Sequence, residues 1–339
     1  MTKKYNVAVV GATGAVGQKM IETLERRNFP INELKLLASS RSAGKLLSYK
    51  NENLVVEELT EFSFENIDIA LFSAGGNISE KYAPIAVKSG AIVIDNTSHF
   101  RMKQNVPLVV PEVNPEDIFK HNGIIANPNC STIQMILALK PILNEFGLKR
   151  VVVSTYQSVS GSGKRAIEEL KEQTAAFLKK ENTTPKVYPH PIGFNVIPQI
   201  DVFEENGFTK EEMKMINETK KILHDDNIEV NATCVRIPVV IGHSESIYVE
   251  TSKEIDTDII RDLWTNFDGL KVIDDIDEQM YPMPRNCEGV YDTMVGRLRK
   301  DLNKTNAISF WVVADNLLKG AALNAVQIAE KLIQKNELK

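Results

Sequence analysis

The chain predicts an α/β protein in two parts. The first is a parallel, doubly wound sheet, and the second is an α+β domain with a mixed, largely antiparallel sheet. Three observations carry this. Strands and helices alternate through the first third, which implies parallel strands with helices on both faces. A glycine-rich turn, Gly11–Gly17, joins the first strand to the first helix. From about Lys149 the alternation gives way to longer strands of period two. At 339 residues the chain is also too long for one ordinary core.

Asn6–Val10 reads as a buried strand and Ala15–Arg27 as a helix. Glu33–Ala38 and Ile67–Phe72 are further strands, followed by a helix over Ser79–Ser89 that stops at Gly90. Ala91–Asp95 and Gly123–Ala126 complete the set of short apolar strands. In the second part, strands are expected at Lys149–Gln157, Glu229–Ile241, Ser246–Thr251 and Ile308–Ala314. Helices Lys164–Lys179 and Lys210–His224 would cover one face of that sheet, and Thr209 with Glu212 forms a capping-box signal before the second of them. The stretch Thr183–Pro198 carries four prolines and reads as a loop. The last helix, Asn316–Leu332, is rich in alanine and is expected to return to the first domain. The expected division is 1–127 with 316–339, and 128–315.

The composition, 43% hydrophobic and 25% charged, is that of a globular protein. A net charge of -5 without a basic tract argues against nucleic-acid binding. Three scattered cysteines make neither a disulfide framework nor a metal site, so no metal is expected. No apolar run approaches the roughly eighteen residues of a membrane span. Lys3-Lys4 followed by Val7–Val10 mimics a secretion signal, but Gly11 and Gly14 break the apolar run and make it a first strand. A reducing cytoplasm is the simplest home for a free reactive thiol.

Cys130 lies in Asn127-Pro128-Asn129-Cys130-Ser131-Thr132, a rigid turn leading into an amphipathic helix that Pro141 is expected to close. A cysteine at a helix start meets unpaired N–H groups that favour the thiolate. The helix dipole contributes about 1–2 kcal/mol, roughly one pKa unit, which is too little alone for a thiol of pKa about 8.5. A partner base elsewhere in the chain is therefore expected. The competing role is a buried structural cysteine, against which the polar neighbours Asn129 and Ser131 weigh.

The glycine turn follows a strand and opens a helix, the setting in which such loops cradle a pyrophosphate at the helix N-terminus. Its spacing, GxxGxxG, is one residue longer than the usual dinucleotide fingerprint. A purely structural turn is the alternative. The second strand ends in Ser39-Ser40-Arg41-Ser42 with no carboxylate to hold a ribose hydroxyl. A guanidinium and hydroxyls suit a 2′-phosphate, which favours NADP.

Among five histidines, His243 stands out, placed after Gly242 just past an expected strand end. His224 ends a helix and would cap it, His121 and His190 fall in polar loops, and His99 sits in a loop at a strand's carboxyl end. Arg236 is expected mid-strand among valines and isoleucine, where a cation must meet either a buried carboxylate or a ligand. Gln157 ends a strand and leads into Ser158–Gly163, a loop able to touch a cofactor. Glu211 and Lys214, one helical turn apart, ordinarily make only a surface pair.

Together, Gly11–Gly17, Phe72–Gly76, Asn127–Thr132, Tyr156–Gly161, Phe194–Asp201, Arg236–Glu245 and Trp311–Asn316 through Asn324–Gln327 resemble aspartate-semialdehyde dehydrogenase along essentially the whole chain. The resemblance implies a Rossmann-type first domain and the reversible NADP-dependent conversion of aspartate semialdehyde and phosphate into aspartyl phosphate. It implies Cys130 as acylated nucleophile, His243 as acid/base and Gln157 as a substrate-orienting residue. Arg236, Glu211, Arg101, Lys214 and Asn129 fall on substrate or phosphate positions. Gly11, Thr13, Gly14, Ala15, Val16, Arg41, Ser42, Ser73, Gly75, Ser160, Gly161 and Asn316 fall beside the cofactor. It also implies a homodimer, with a tetramer as the alternative, serving lysine, threonine and methionine synthesis. His99 stands where a small residue is more usual, and Cys287 lies in a variable loop and is expected to be adventitious. Two rivals share these features: N-acetyl-glutamyl-phosphate reductase, which would keep Cys130 and His243, and a non-catalytic NADP-binding sensor, which would need neither.

Overall fold

The structure, a computed structural model, describes residues 3–335. The chain divides into two compact units, Met1–Asn129 with Ala321–Lys339, and Cys130–Gly320. Of the expected returning segment 316–339, residues 336–339 lie outside the described residues.

The first unit is built on strands β1 (Tyr5–Val10), β2 (Ile31–Ala38), β3 (Leu46–Tyr49), β4 (Glu52–Glu58), β5 (Ile69–Phe72), β6 (Ile92–Asp95) and β7 (Ile124–Ala126). They form one sheet in the order β3-β4-β2-β1-β5-β6-β7, parallel except for the β3–β4 hairpin. Helices α1 (Ala15–Arg26) and α2 (Gly76–Lys88) follow β1 and β5. Alternation along β1 sorts the two cores. Val7 and Val9 pack with Met20, Ile21 and Leu24 of α1 and with Val326 and Ala329, while Ala8 and Val10 pack with Ala83 and Ala86 of α2. Helices on both faces of a parallel sheet make it doubly wound. Successive connections run outward from β1 in one direction through β2 and from β5 in the other, so the topological switch falls between β1 and β5.

The β3–β4 hairpin was not expected. Its turn uses Lys50 and Asn51, both at positive φ, rather than an Asn-Gly pair, and its second strand is rich in Glu, which strands disfavour.

The second unit contains β8 (Arg150–Gln157), β9 (Glu229–Arg236), β10 (His243–Glu250), β11 (Leu270–Val272), β12 (Thr293–Lys300) and β13 (Ala307–Ala314), in the order β11-β12-β13-β10-β8-β9. Two pairings are parallel, β8–β9 and β11–β12, and the other three are antiparallel. Helices α3 (Cys130–Phe146), α5 (Lys210–Leu223) and α6 (Thr257–Thr265) pack against this sheet, and α4 (Lys164–Leu178) lies beside the loop after β8. The capping box at Thr209 and Glu212 is formed.

Three further expectations are corrected. Helix α3 does not close at Pro141 but runs on to Phe146, because it is buried on nearly every side and Trp264 donates to its Ala138 carbonyl at 2.9 Å. That packing outweighs a proline penalty of about 3 kcal/mol. Strand β9 stops at Arg236, not Ile241, since Pro238 cannot donate to a ladder. His243 therefore opens β10 instead of trailing a strand. At the C-terminus a wider turn, Leu318–Ala322, precedes helix α7 (Leu323–Gln334), where one continuous helix from Asn316 was expected.

Candidate active site

The register of the second sheet gathers three polar side chains at one end. Gln157 pairs with Arg236 across β8 and β9, and Ser244 pairs with Tyr156, which sets His243 beside Gln157. Strand ends thus align His243, Gln157 and Arg236 in one row, all buried.

Cys130 begins α3 and is partly exposed. One turn on, Gln134 lies on the same side of the helix, and its Nε2 donates to the His243 carbonyl at 3.4 Å. The turn bearing the thiol is thereby fastened to the strand bearing the imidazole.

His243 is aimed by its neighbours. Gly242, at φ +94°, makes the sharp turn before it, and the Cys287 sulfur sits against that turn where a side chain would have to go. The Ser158 N–H donates to His243 Nδ1 at 3.1 Å, and Ser158 Oγ lies 3.1 Å from the same nitrogen. That Oγ donates in turn to Asn316 Oδ1 at 3.1 Å, which also accepts from Ser160 Oγ at 3.1 Å and from the Gly242 N–H at 3.0 Å. With Nδ1 accepting, hydrogen bonding assigns the proton of a neutral imidazole to Nε2. Nε2 is buried and has no partner. Burial, followed by the nearby Arg236 charge, pushes the His243 pKa down to about 3, so the ring is neutral at physiological pH.

Arg236 Nη1 donates to the Ser158 carbonyl at 2.6 Å, while its Nε is buried without a partner. Its guanidinium also lies over the Tyr188 ring, 5.8 Å from the centroid. The buried salt bridge that would have been its ordinary explanation is not among these contacts. A methyl group placed on Gly161 would come within 3.2 Å of Arg236 Nη1 and 3.3 Å of His243 Nε2, so both groups face that glycine.

Gln157 accepts from Thr155 Oγ1 at 3.0 Å and donates to Glu211 Oε1 at 3.1 Å. Glu211 and Lys214 are not the surface pair their spacing implied. Glu211 is 5% exposed, and Lys214 bridges it at 3.1 Å to Asp201 at 2.9 Å. Burial opposes the Lys214 charge, but Glu211 and Asp201 outweigh it and hold its pKa above the ordinary lysine value.

In the first unit, Gly11 takes φ +88° and leaves no room for a side chain against Ser73 and Ala74. The loops after β1 and β5 therefore meet at the switch point, with Gly75 at φ +101° capping α2. Gly14 caps α1 with no side-chain bond, leaving the N–H groups of the turn Ala15-Val16-Gly17 without a side-chain cap or an acidic residue. That is the donor set an anionic group requires. Thr13 Oγ1 reaches Ser42 Oγ at 3.5 Å, Ser73 Oγ bonds to the Val10 carbonyl, and Arg41 is exposed beside them. These residues fit a nucleotide pyrophosphate. Arg101 is buried and bonds to the carbonyls of Asn127 and Asn96, both at 2.9 Å, and Asn129 is buried at this unit's boundary. His99 is half-buried, edge-on to Phe100.

Cys287 is not a loosely held loop residue. It is wholly buried, burial pushes its pKa up to about 12, and its thiol donates to the Pro284 carbonyl. Among the described residues no group of His, Cys, Asp or Glu could hold a metal ion, and no helix is long and apolar enough to cross a membrane. Sequence reasoning did not single out Gln134, Thr155 or Ser158. The first two left a signal: a lone amide in the apolar run Ile133–Leu139, four residues after Cys130, and a threonine two residues before Gln157 on the same strand face.

Comparison with known proteins places these features in context. Residues 6–121 match the family described as semialdehyde dehydrogenase, NAD binding domain, and residues 139–319 match semialdehyde dehydrogenase, dimerisation domain. A relative from Bacillus subtilis (strain 168), an aspartate-semialdehyde dehydrogenase, is 56% identical over 344 residues, covering 99% of each chain. A crystal structure of aspartate semialdehyde dehydrogenase II from Vibrio cholerae, complexed with ASA, superposes with a TM-score of 0.96 at 50% identity, covering 98% of this chain and 99% of that one. The Candida albicans enzyme with NADP superposes with a TM-score of 0.77 at 26% identity, covering 98% and 99%.

Proposed function

As the chain belongs to the aspartate-semialdehyde dehydrogenase family, we propose that it reduces L-aspartyl 4-phosphate to L-aspartate 4-semialdehyde, reversibly and with NADP, through a thioester on Cys130. The observation that carries this is the His243 Nε2: a buried, proton-bearing nitrogen with no partner, in one row with a buried guanidinium and fastened to the Cys130 turn.

Cys130 attacks the acyl carbon and displaces phosphate, the group assigned to Arg101 and Lys214. NADPH, when bound, supplies the hydride that reduces the thioester. His243 donates its Nε2–H as a hydrogen bond to the alkoxide that develops on hydride addition, and that oxygen re-forms the carbonyl as the C–S bond breaks and Cys130 departs as thiolate; the ring's neutrality keeps the N–H in place across the physiological range. Arg236 grips the substrate carboxylate as a fork, and Gln157 orients the substrate while Thr155 and Glu211 hold its amide. Glu211 also faces the substrate amine. Asn129 is assigned to the substrate as well. In the first unit the Gly11–Gly17 loop holds the pyrophosphate, and Arg41 with Ser42 prefers a 2′-phosphate. In the second, Ser160, Gly161 and Asn316 stand beside the cofactor.

We further propose a cytoplasmic homodimer that supplies lysine, threonine and methionine synthesis. The second face of the β8–β10–β13 sheet supports the dimer: it presents half-buried Tyr156, Tyr248 and Trp311, the first and last 5.3 Å apart.

The test is phosphate-dependent NADP reduction with aspartate semialdehyde, before and after thiol alkylation, with N-acetyl-glutamate semialdehyde as the competing substrate. Reduction that needs phosphate, is lost on alkylation and prefers the four-carbon aldehyde supports the proposal. Alkylation without effect overturns it.

A further inference from the structure

Three asparagines of the first unit, Asn96, Asn127 and Asn324, are joined by side-chain amide bonds that no step proposed above uses. Asn127 and Asn324 are wholly buried. A backbone group fixes the direction of these bonds. The Val109 carbonyl can only accept, so the Asn324 atom 2.9 Å from it is Nδ2. That nitrogen also donates to Asn127, 2.7 Å away, whose facing atom is therefore Oδ1. Asn127 Nδ2 then turns the other way, donates to Asn96 Oδ1 at 2.6 Å and lies 3.4 Å from the Ala321 carbonyl.

Two of these residues also seat Arg101. The Asn127 carbonyl accepts from its Nε and the Asn96 carbonyl from its Nη2, both at 2.9 Å. Their own N–H groups are anchored to strand ends, Asn96 on the Phe72 carbonyl at 2.9 Å and Asn127 on the Asp95 carbonyl at 2.8 Å. The guanidinium, the two carbonyls and the amide bond between the two asparagines close one ring. A planar group held at Nε and Nη2 has a single orientation, so the ring sets how the guanidinium points. Asn324, 197 residues beyond Asn127 and on α7, braces that ring from another element.

We infer that Asn324 is a positioning residue: acting through Asn127, it fixes the Arg101 guanidinium in the orientation that receives phosphate. Without it the buried Asn127 oxygen loses its donor, and the Asn127 side chain is free to leave Asn96. This role rests on the assignment of the phosphate to Arg101 made above. A control lies one turn further along α7, where Gln327 Nε2 donates to Glu112 Oε1 at 2.8 Å. That bond ties the same helix to the segment carrying Val109 and makes no contact with Asn127.

The test is a double-mutant cycle on phosphate-dependent NADP reduction with aspartate semialdehyde. Asn324→Leu, which keeps the volume and removes the donor, should lower kcat/KM for phosphate about 10- to 100-fold, the size expected when a binding group is misplaced by a fraction of an ångström to an ångström. The KM for NADP should stay within about twofold, and kcat at saturating phosphate within about threefold. Asn127→Asp, which keeps the acceptor for Asn324 but loses the donor to Asn96, should weaken phosphate use in the same way. Gln327→Ala should leave it within about twofold of wild type. In an Arg101→Ala background, Asn324→Leu should change kcat/KM for phosphate by less than about twofold, because its effect passes through the missing guanidinium. Wild-type phosphate use in Asn324→Leu or Asn127→Asp, an equal loss in Gln327→Ala, or a loss that adds fully to that of Arg101→Ala would overturn the inference alone. Arg101→Ala with wild-type phosphate use would instead overturn the phosphate assignment, and the inference with it.

Discussion

The Ser158 N–H donates to Nδ1 of His243 at 3.1 Å, leaving Nε2 as the ring's proton-bearing and unpartnered atom. An imidazole in this tautomer serves as a hydrogen-bond donor and acid toward a developing alkoxide. It cannot take a proton at Nε2 without an N–H facing N–H contact at Nδ1, unless Ser158 Oγ turns to accept.

His243→Asn is therefore expected to lower kcat by about 10²–10⁴-fold, the range for loss of a general acid, with little change in NADP binding. Steady-state kinetics with fluorescence titration of NADPH checks it. A variant retaining most of its kcat would remove His243 from the chemistry.

The same ring makes stability depend on pH. Its folded pKa of about 3 lies below the unfolded value of about 6.5, so between them the unfolded chain binds more protons. The contribution is present above about pH 6.5 and is lost as pH falls toward 3. Urea melts of wild type and His243→Gln from pH 7 to 4 should show the steeper acid loss in the wild type.

Glu245 works in the opposite sense. Its folded pKa is raised by burial, so its contribution is present below the unfolded value of about 4.3 and is lost as pH rises. Glu245→Gln should gain stability relative to wild type as pH climbs from 5 to 8, read as a growing difference in Tm. A constant difference would mean that the carboxyl ionises freely.

Cys130→Ala is expected to reduce turnover to background while still binding NADPH. Isothermal titration beside the activity assay separates the two, and turnover persisting in the variant would eliminate the thioester.

Arg41→Ala should raise the KM for NADPH far more than that for NADH if the exposed guanidinium recognises the extra phosphate as proposed. Equal increases would assign it to the shared part of the cofactor.

Arg236→Leu should cost on the order of 10²–10³ in kcat/KM, as loss of a buried charge-assisted pair worth about 3–4 kcal/mol implies. Arg236→Lys should recover little of it, since an ammonium cannot make the two-pronged contact.

Local chemistry made much of this legible in the sequence. Gly11 and Gly17 bracket a strand-to-helix turn, the acid-free Ser39–Ser42 follows the second strand, and Cys130 begins a helix because Pro128 stops the preceding strand. Periodicity separated a doubly wound sheet from a mixed one, because each strand's burial is written in its own alternation. What the sequence could not decide was set by partners distant along the chain. Pro141 stays within α3 since burial on all sides outweighs a local break, and Glu211 with Lys214 becomes a buried group because Gln157 and Asp201 arrive from elsewhere. The tautomer of His243 and the burial of Glu245 likewise depend on register between strands far apart in sequence. A spacing rule reports which residues share a face; only packing determines what that face meets and how much water it keeps.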